Sequence, residues 1–327
     1  MNLNNKIMLV TGGTGSFGYA FVRYVINKYP KIKKIIIFSR DELKQFEFQN
    51  EVSDNRLSFY LGDVRDSERL LEVMRGVDFV VHAAAMKQIP ASELNPMEAI
   101  KTNVIGAQNI VSASIKAGVK KVIALSTDKA ANPANLYGAT KLCSDKLMIS
   151  GNTSPGNTQT RFSVVRYGNV LGSRGSVIPY FKEKSKTGHL PITDLEMTRF
   201  WLTIEEGVQF VLDSLARMHG GEIFVPKIPS FKIVDVAKVV APKAQLDIIG
   251  IRPGEKLHEV MITEDDSFYT VEFEKYYAIL SPELKKLEVY KKNGLPVQHG
   301  FKFSSDNNKD WHTIETFRAI LIKNNLI

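Results

Sequence analysis

A glycine-rich turn between an apolar strand and an amphipathic helix is the feature that most restricts how this chain can fold. The apolar run at residues 7–10 precedes the turn, and Phe21, Val22, Val25 and Ile26 follow it at helical spacing. Glycines without a Cβ allow a tight turn and let backbone N–H groups at a helix N-terminus approach a phosphate group. We therefore predict a parallel α/β sheet whose first loop binds the pyrophosphate of a dinucleotide. The predicted contacts are Gly12, Thr14, Gly15, Ser16, Phe17 and Gly18.

Further apolar runs, rich in β-branched residues, alternate with amphipathic stretches along the first half of the chain. These runs predict strands at residues 35–38, 57–61, 79–81, 122–125 and 162–165. Continuous apolar runs are typical of strands that helices cover on both faces. The segment at residues 96–117 predicts one long helix, with Pro96 in its first turn. The predicted fold class is α/β, a Rossmann-type doubly wound parallel sheet.

The regular alternation weakens after about Arg166, where glycine, proline and polar residues become more frequent. One further helix at residues 204–218 and a strand at residues 222–225 are expected to return to the sheet. The remaining C-terminal segments are expected to form a smaller lobe that closes over the ligand. The predicted division is a Rossmann domain at residues 1–166 with 203–226, and a smaller C-terminal substrate-binding lobe at residues 167–202 and 227–327.

Composition and charge exclude several classes of protein. The 327 residues carry 43 Lys and Arg against 35 Asp and Glu, but these cations are spread along the chain without a nucleic-acid-binding motif, so we predict no nucleic-acid partner. No apolar run approaches the ~20 residues of a membrane span, and the first residues lead straight into a strand rather than a signal peptide. The single cysteine, Cys143, cannot form an internal disulfide. We expect a soluble, cytoplasmic protein without a metal site.

The end of the second predicted strand indicates which dinucleotide is bound. NAD-binding sequences usually place an acidic residue there, which bonds the ribose 2′-hydroxyl. Ser39 and Arg40 stand there instead, with Lys44 one helical turn beyond, and a hydroxyl with two cations suits a 2′-phosphate. We therefore predict NADP. A shifted register would instead turn Asp41 or Glu42 toward the ribose, which favours NAD.

Residues after the third and fourth predicted strands complete the predicted cofactor site. Asp63 follows the third strand, where its carboxylate can accept the adenine amino group or cap a turn. Val64, Ala83 and Ala84 occupy comparable positions after these two strands, and we assign them to the same site.

A tyrosine and a lysine four residues apart form a Y-x-x-x-K motif, because Tyr137 and Lys141 share one helix face. An ammonium group beside a phenol lowers the pKa of the tyrosine, as does the positive charge of an oxidised nicotinamide. The phenolate can then take a proton from an alcohol while a hydride leaves the same carbon for the cofactor. The motif follows a predicted strand that ends near Thr127, so we predict an oxidation step at this end of the sheet. We assign Tyr137 and Lys141 to the cofactor site as well as to the reaction.

Several short segments on both sides of this motif are shared with a known enzyme family. They are residues 39–44, 125–133, 136–141, 166–170, 172–176, 197–201 and 252–256. In these segments the chain resembles the extended short-chain dehydrogenase/reductases, and most closely the inverting UDP-N-acetylglucosamine 4,6-dehydratases. Those enzymes act at the first step of pseudaminic acid synthesis and in related capsule pathways. The resemblance covers nearly the whole chain and thins after about Asp266.

The resemblance implies a reaction cycle on a tightly bound NADP and a role for each residue near Tyr137. Oxidation at the sugar C4 makes the C5 proton acidic, a base removes it, an acid helps the C6 hydroxyl to leave, and the hydride returns to C6. By resemblance Lys129 is the base, Asp128 is the acid, and Thr127 bonds the C4 oxygen. Retaining dehydratases have Asp-Glu here, so the lysine indicates inversion at C5. Lys129 must be neutral to act, and we expect burial or cations such as Lys141 to lower its pKa.

The resemblance also implies contacts to UDP-N-acetylglucosamine and association of identical chains. The family often has a histidine where Gln88 stands, and Arg199 is equally well explained by an ion pair. Arginine suits a diphosphate and glutamate suits a hydroxyl. Related enzymes pair through helices that include the Tyr–Lys helix and some form hexamers, so we expect a homo-oligomer. The predicted substrate contacts are Lys87, Tyr167, Asn169, Arg199, Arg252 and Glu255.

Two other functions are alternatives to dehydration. A UDP-sugar C4 epimerase would use the same Tyr137 and Lys141 but needs no acid and base for C5 and C6. A non-catalytic NADP-binding regulatory protein would commonly lose the tyrosine or the lysine, and both are present. The pair Asp128-Lys129 therefore favours a dehydratase. Only seven residues separate Lys129 from Tyr137, fewer than in most epimerases and retaining dehydratases.

Overall fold

The computed structural model describes residues 1–157, 159–172, 177–282, 289–290 and 292–327. Of the segments that carry the family resemblance, residues 173–176 lie outside these ranges. The strands are β1 (Ile7–Thr11), β2 (Lys34–Ser39), β3 (Leu57–Leu61), β4 (Phe79–His82), β5 (Lys121–Thr127), β6 (Arg161–Tyr167), β7 (Asn169–Val170), β8 (His189–Ile192), β9 (Thr198–Leu202), β10 (Glu222–Pro226), β11 (Ser230–Lys232), β12 (Gln245–Ile248), β13 (Val260–Ile262), β14 (Thr270–Glu272), β15 (Tyr276–Leu280), β16 (Leu295–Pro296) and β17 (Phe303–Ser304).

Helices connect these strands and cover the sheets. None of those in the described ranges has both the length and the apolar character that crossing a membrane demands. The α-helices are α1 (Ser16–Lys28), α2 (Glu42–Glu51), α3 (Ser67–Val73), α4 (Ile89–Leu94), α5 (Pro96–Ile100), α6 (Gly106–Ala117), α7 (Leu136–Ser150), α8 (Val177–Ser185), α9 (Ile204–Arg217), α10 (Ile233–Val240) and α11 (Ile314–Lys323).

A central sheet organises the molecule, with the strand order β16-β14-β15-β10-β6-β5-β4-β1-β2-β3 in the described residues. The strands from β3 to β10 in this order are parallel, as predicted from their continuous apolar runs. The order reverses between β1 and β4, and ligands of doubly wound sheets bind in the crevice beyond the carboxyl ends of such strands. The predicted Rossmann-type fold is confirmed.

The segment predicted as one long helix is helical throughout but changes its winding. A π-helical turn at Lys101–Ile105 separates α5 from α6. Asn103 is buried in this turn, and its amide donates to the carbonyl of Met86 at 2.8 Å and accepts from the Met86 N–H at 2.8 Å. A buried amide needs such partners, and a π turn re-aims a side chain within a helix. The sequence pattern predicted the extent of the helix but not this turn.

A second, smaller hydrophobic core lies in the C-terminal half. It is built on the short sheets β11-β9-β7 and β12-β8 with α8, α10 and α11. Trp201, Phe231 and Phe317 pack against one another, with the Trp201 ring centroid 3.9 Å from that of Phe231 and 5.1 Å from that of Phe317. Burial of these aromatic rings stabilises a lobe of short strands that the central sheet does not contain.

The C-terminal region differs in one respect from the predicted division. Residues 227–327 were assigned wholly to the lobe, but β14, β15 and β16 extend the central sheet. Strand β15 pairs antiparallel with β10, from Glu222 opposite Leu280 to Pro226 opposite Tyr276. Without β15 the edge of β10 would leave a row of backbone groups unpaired, and a return strand satisfies them. The two-lobe division itself stays a prediction.

Candidate active site

The glycine turn places the N-terminus of α1 at the carboxyl end of β1. Gly12 has φ +65°, and a Cβ at this position would lie 2.8 Å from the backbone nitrogen of Ala84. A Cβ on Gly18 would lie 2.5 Å from the Cα of Gly13. In the described part of the chain no side chain caps α1 at Gly15. The turn is therefore a cradle that only glycine can form, with helix N–H groups available to a phosphate, and its residues fit the expected dinucleotide.

A cavity of about 810 Å³ runs from this turn past the ends of β4 and β5. It brings together 22 of the 24 residues predicted from the sequence to contact cofactor or substrate or to take part in the reaction. Asp128 and Arg252 are not in its lining. Asp128 lies fully buried beneath Lys129, whereas Arg252 is half exposed, with its Nη1 3.9 Å from Glu255 Oε1.

The end of β2 carries the residues expected to distinguish NADP from NAD. Asp41 caps α2, because its carboxylate accepts from the Lys44 N–H at 3.0 Å and also pairs with the Lys44 ammonium. The guanidinium of Arg40 is largely exposed and lies 3.5 Å from Asp63 Oδ2. The Ser39 hydroxyl accepts from the amide of Gln45 at 3.0 Å. The carboxylate of Asp41 is therefore bonded to its own helix, and Arg40 and Asp41 both line the cavity.

Asp63 forms a tight turn with Arg65, as one of its two predicted roles requires. Its carboxylate accepts from the Arg65 backbone N–H and from Nε, both at 2.9 Å. Burial acts to raise the pKa of Asp63, but these bonds from Arg65 outweigh it and hold the pKa below its usual range. The carboxylate is therefore ionised and lines the cavity, so contact with an adenine amino group stays a prediction.

The predicted reaction centre begins where β5 ends. A 3₁₀ turn at Asp128–Ala130 follows Thr127, whose hydroxyl donates to Asp128 Oδ1 at 2.8 Å. Helix α7 then starts at Leu136, capped by Asn135, and packs so closely on this turn that a Cβ on Gly138 would overlap the carbonyl oxygen of Lys129. The glycine beside Tyr137 therefore allows α7 to approach the turn that carries Asp128 and Lys129.

The environment of Tyr137 differs from the one that its motif predicts. Burial raises the pKa of Tyr137 to about 12, against the lowering effects of Lys129 and a hydrogen bond with Thr127. The prediction that neighbouring groups of the protein lower the pKa of Tyr137 is therefore wrong, because the cost of desolvating a phenolate outweighs these contacts. The positive charge of an oxidised nicotinamide acts in the opposite direction when the cofactor is bound. The pKa of Lys141 is lowered by burial, although Asp145 opposes the change.

The charge on Lys129 also differs from the prediction. Its Nζ lies 3.1 Å from Asp128 Oδ1, 3.1 Å from Glu259 Oε1 and 3.5 Å from the side-chain oxygen of Asn169. Burial acts to lower the pKa of Lys129, but the two carboxylates outweigh it and raise the pKa above its ordinary value. The expected lowering of the Lys129 pKa is therefore wrong for the chain's own groups, and this arrangement favours the ammonium form. Burial raises the pKa of Asp128, and the ammonium of Lys129 acts against this rise, so Asp128 can accept a proton from Lys129 more readily than an exposed carboxylate would.

Two carboxylates that the sequence analysis did not single out support this centre. Asp145 lies one turn beyond Lys141 on α7 and accepts from the Ser126 hydroxyl at 2.7 Å. Arg166 lies 3.6 Å from it and also donates to the carbonyl of Met261 at 3.1 Å. The i,i+4 spacing of Lys141 and Asp145 could have identified this residue. Glu259, some 130 residues from Lys129, carries no comparable signal.

Five of the six predicted substrate residues line the cavity, and Arg252 does not. Burial lowers the pKa of Lys87, and burial raises that of Tyr167. Arg199 donates to the carbonyls of Thr198 and Leu257 at 2.7 and 3.1 Å, and its Nε lies 3.8 Å from Glu259, so protein groups account for its contacts. In the described part of the chain Glu255 Oε2 is buried without a hydrogen-bond partner.

The loop that contains Glu255 is fixed to the reaction centre. The amide of Asn135 donates to the carbonyl of Gly254 at 2.8 Å, and the ammonium of Lys256 donates to the carbonyl of Ala131 at 2.7 Å. These two bonds join the C-terminal part of the chain to the segment between Lys129 and Tyr137. The seven residues between Lys129 and Tyr137 therefore provide the contacts that hold this loop in place.

Comparison with known proteins agrees with this geometry. The family model described as "Polysaccharide biosynthesis protein" matches residues 8–281. An inverting UDP-N-acetylglucosamine 4,6-dehydratase of Campylobacter jejuni is 58% identical over 94% of this chain and 95% of its own length. A UDP-glucose 4-epimerase of Rickettsia canadensis is 44% identical over 84% of this chain and 83% of its own. Similarity is therefore greater to the dehydratase, and extends further along the chain.

Two solved structures have the same architecture. Pen from Bacillus thuringiensis matches 100% of both chains with a TM-score of 0.91 and 34% identity. DesIV, a dTDP-glucose 4,6-dehydratase of Streptomyces venezuelae solved with NAD, matches 77% of this chain and 86% of its own with a TM-score of 0.69 and 25% identity. The glycine turn is thus a nicotinamide-dinucleotide site of this fold. The chain therefore belongs to the polysaccharide biosynthesis protein family, and within it to the inverting UDP-N-acetylglucosamine 4,6-dehydratases of the extended short-chain dehydrogenase/reductase type.

Proposed function

We propose that the protein uses NADP to dehydrate UDP-N-acetylglucosamine and inverts the sugar at C5, giving UDP-2-acetamido-2,6-dideoxy-β-L-arabino-hex-4-ulose. The observation that carries the proposal is the hydrogen-bonded pair of Asp128 and Lys129 in the turn after β5, 3.1 Å apart, with Lys129 and Tyr137 lining one cavity. A C4 epimerase has no use for this second acid and base. The pair therefore favours dehydration, even though an epimerase is also among the relatives.

A bound nicotinamide would supply the means to take a hydride from C4 of the sugar and give it back at C6. The glycine turn would hold its pyrophosphate, and Ser39, Arg40 and Lys44 would hold its 2′-phosphate. The engagement of Asp41 in the α2 cap supports NADP over NAD, because that carboxylate is turned to its own helix. A cofactor that is restored in every turnover would remain bound between turnovers.

The residues at the end of β5 would move the protons of the reaction. Tyr137 takes the proton of the C4 hydroxyl, with Thr127 bonding the C4 oxygen and Lys141 beside Tyr137 on α7. Lys129 must first lose a proton, and its bond to Asp128 Oδ1 is a direct route for that transfer. The transfer yields a neutral amine for the C5 proton and a carboxylic acid for the C6 oxygen in one step.

The substrate would lie between this centre and the C-terminal loop. Lys87, Tyr167, Asn169 and Arg199 line the part of the cavity that would hold the sugar, and Glu255 would accept a hydroxyl with its unpartnered oxygen. Arg252 would have to turn inward to reach a diphosphate, because its side chain is half exposed. The product would enter pseudaminic acid or a related glycan, in the cytoplasm.

We also propose that copies of the chain associate beside α7. Leu94, Met97 and Ile105 are exposed on neighbouring turns from α4 to α6, with Leu94 81% exposed. Exposed apolar residues grouped in this way are typical of protein–protein interfaces. Light scattering should give a dimer or a larger assembly, and Met97→Glu should lower its mass. A monomeric wild-type protein would contradict this part of the proposal.

Mass spectrometry of the reaction tests the proposed activity. Incubation with UDP-N-acetylglucosamine should give a product lighter by one water, without added or consumed nicotinamide. A product of unchanged mass would instead indicate epimerisation. No product, together with intact cofactor binding, would indicate the non-catalytic alternative.

A further inference from the structure

Glu259 is a buried carboxylate that faces the reaction centre from the C-terminal part of the chain. It lies directly before β13, where its backbone N–H donates to the Ser305 hydroxyl at 2.9 Å and its carbonyl accepts from the Ser305 N–H at 2.8 Å. Its Oε1 lies 3.1 Å from Nζ of Lys129. The backbone of Glu259 is thus fixed on both sides, and its carboxylate reaches across to a turn of the central sheet.

The charges around Glu259 come from three separate elements. Asp128 and Lys129 stand in the turn after β5, Arg199 on β9, and Lys256 in the loop before β13. Arg199 Nε lies 3.8 Å from Glu259 Oε1. Three cations thus face Glu259 and Asp128, and Lys129 is the one that contacts both carboxylates.

We propose that Glu259 is a positioning residue for Lys129. Its carboxylate fixes Nζ between Asp128 and the cavity, and it stabilises the ammonium that forms when Lys129 takes the C5 proton. This inference rests on the proposed function, because it takes Lys129 as the base. Glu259 itself exchanges no proton with the sugar.

The step can be written with its atoms in balance. The C5–H bond breaks and an N–H bond forms on Lys129, while the electron pair stays on the sugar as the enolate of the C4 ketone. That pair then forms the C5–C6 double bond as the C6–O bond breaks, and the Asp128 proton goes to the leaving oxygen. Positive charge grows on Nζ during this step alone, so a carboxylate 3.1 Å away lowers its barrier and leaves the C4 oxidation untouched.

The variant Glu259→Gln removes this charge while keeping the size of the side chain. Cofactor reduction on mixing with UDP-N-acetylglucosamine should proceed as in the wild type, because Tyr137 carries that step. Exchange of the C5 proton with solvent deuterium should slow by about tenfold or more. The alkaline limb of the pH profile should also move to lower pH by about one unit, because Asp128 and Lys129 then lose their shared proton more readily. Glu259→Asp keeps the charge and should restore part of the exchange rate.

Rapid-mixing absorbance and NMR exchange on the wild type and both variants decide between the outcomes. Normal cofactor reduction with slowed exchange in Glu259→Gln, and partial recovery in Glu259→Asp, would support the role. Wild-type exchange and an unmoved pH profile in Glu259→Gln would overturn it while the proposed function stands. If Glu259→Gln does not fold, equal cofactor reduction and wild-type exchange in Glu259→Asp would overturn it, because the shortened side chain withdraws the carboxylate from Nζ. A wild-type product that keeps the C6 oxygen would overturn the proposed function, and this inference with it.

Discussion

Nζ of Lys129 lies 3.1 Å from Oδ1 of Asp128 in the turn that ends the central strand β5. The two residues are consecutive in the chain, and the bonds they would act on, C5–H and C6–O, are on adjacent atoms of the sugar. A base and an acid that share one proton can reach their reactive forms by a single transfer between them. This contact explains how Lys129, an ammonium in this structure, could act as a base: it first passes a proton to Asp128.

Lys129→Ala should separate the oxidation at C4 from the later steps. The bound cofactor should still become reduced when UDP-N-acetylglucosamine is added, because Tyr137 and Lys141 remain. Exchange at C5 and loss of water should fall by about 10²–10⁴-fold, the usual contribution of a general base. Absorbance of the reduced nicotinamide and deuterium incorporation at C5 measure the two effects. Unimpaired C5 exchange in this variant would remove Lys129 from its role.

Tyr137→Phe should block the oxidation at C4, whereas Lys129→Ala should block the steps after it. It keeps the ring that fills the buried site but removes the hydroxyl that takes the C4 proton. Cofactor reduction should fall by about 10²–10⁴-fold, and all later steps should fall with it. NADP should still bind, weakened by no more than the loss of one hydrogen bond, and fluorescence titration checks that. Rapid cofactor reduction in Tyr137→Phe would contradict the assignment of this tyrosine.

Arg40→Ala should weaken NADP binding far more than NAD binding. A charge-assisted hydrogen bond contributes about 1.5–3 kcal/mol, so the loss for NADP should be about tenfold or more. Arg23→Ala is a suitable control, because Arg23 is an exposed arginine paired with Glu51 away from the cavity. Calorimetric titration of the protein freed of cofactor gives both affinities. Equal losses for NADP and NAD would make the cofactor assignment wrong.

Gly138→Ala should displace the turn that carries Asp128 and Lys129. The added Cβ would overlap the carbonyl oxygen of Lys129, so α7 or the turn must move. We expect a loss of about 1–3 kcal/mol in the free energy of unfolding and about 10²-fold in turnover. Gly207→Ala is the control, since its Cβ would meet Leu202 at an ordinary 3.5 Å inside α9. Unchanged turnover in Gly138→Ala would show that the close approach of α7 is not required.

The sequence predicted those parts of the fold that local patterns encode. The strands of the parallel sheet follow from runs such as residues 35–38, whose side chains are buried on both faces. The glycine turn follows from residues whose missing Cβ atoms leave room for Ala84 and Gly13. Strands β14 and β15 were not predicted, because β15 joins the sheet by pairing with the edge of β10 and β14 by pairing with β15, and such pairing is set by the fold rather than by a local pattern.

The charge state of the reaction centre could not be predicted from the local sequence. Burial and nearby cations alone would lower the pKa of Lys129, and that reasoning is correct as far as it goes. Two carboxylates reverse this effect: the adjacent Asp128 contributes more, and Glu259, which the fold brings to 3.1 Å from Nζ, adds to it. A contact between residues so distant in sequence has no local pattern. The resemblance to a family identified the reacting residues, but their protonation depends on this tertiary contact.

The product formed from UDP-N-acetylglucosamine in deuterated water tests the central claim most directly. NMR of that product shows in one measurement whether C4 is a ketone, whether C6 has lost its oxygen, and which configuration C5 has. We predict a 4-keto-6-deoxy sugar with deuterium at C5 and the L-arabino configuration, formed without net use of nicotinamide. UDP-N-acetylgalactosamine that retains its C6 oxygen and its C5 proton would contradict the account.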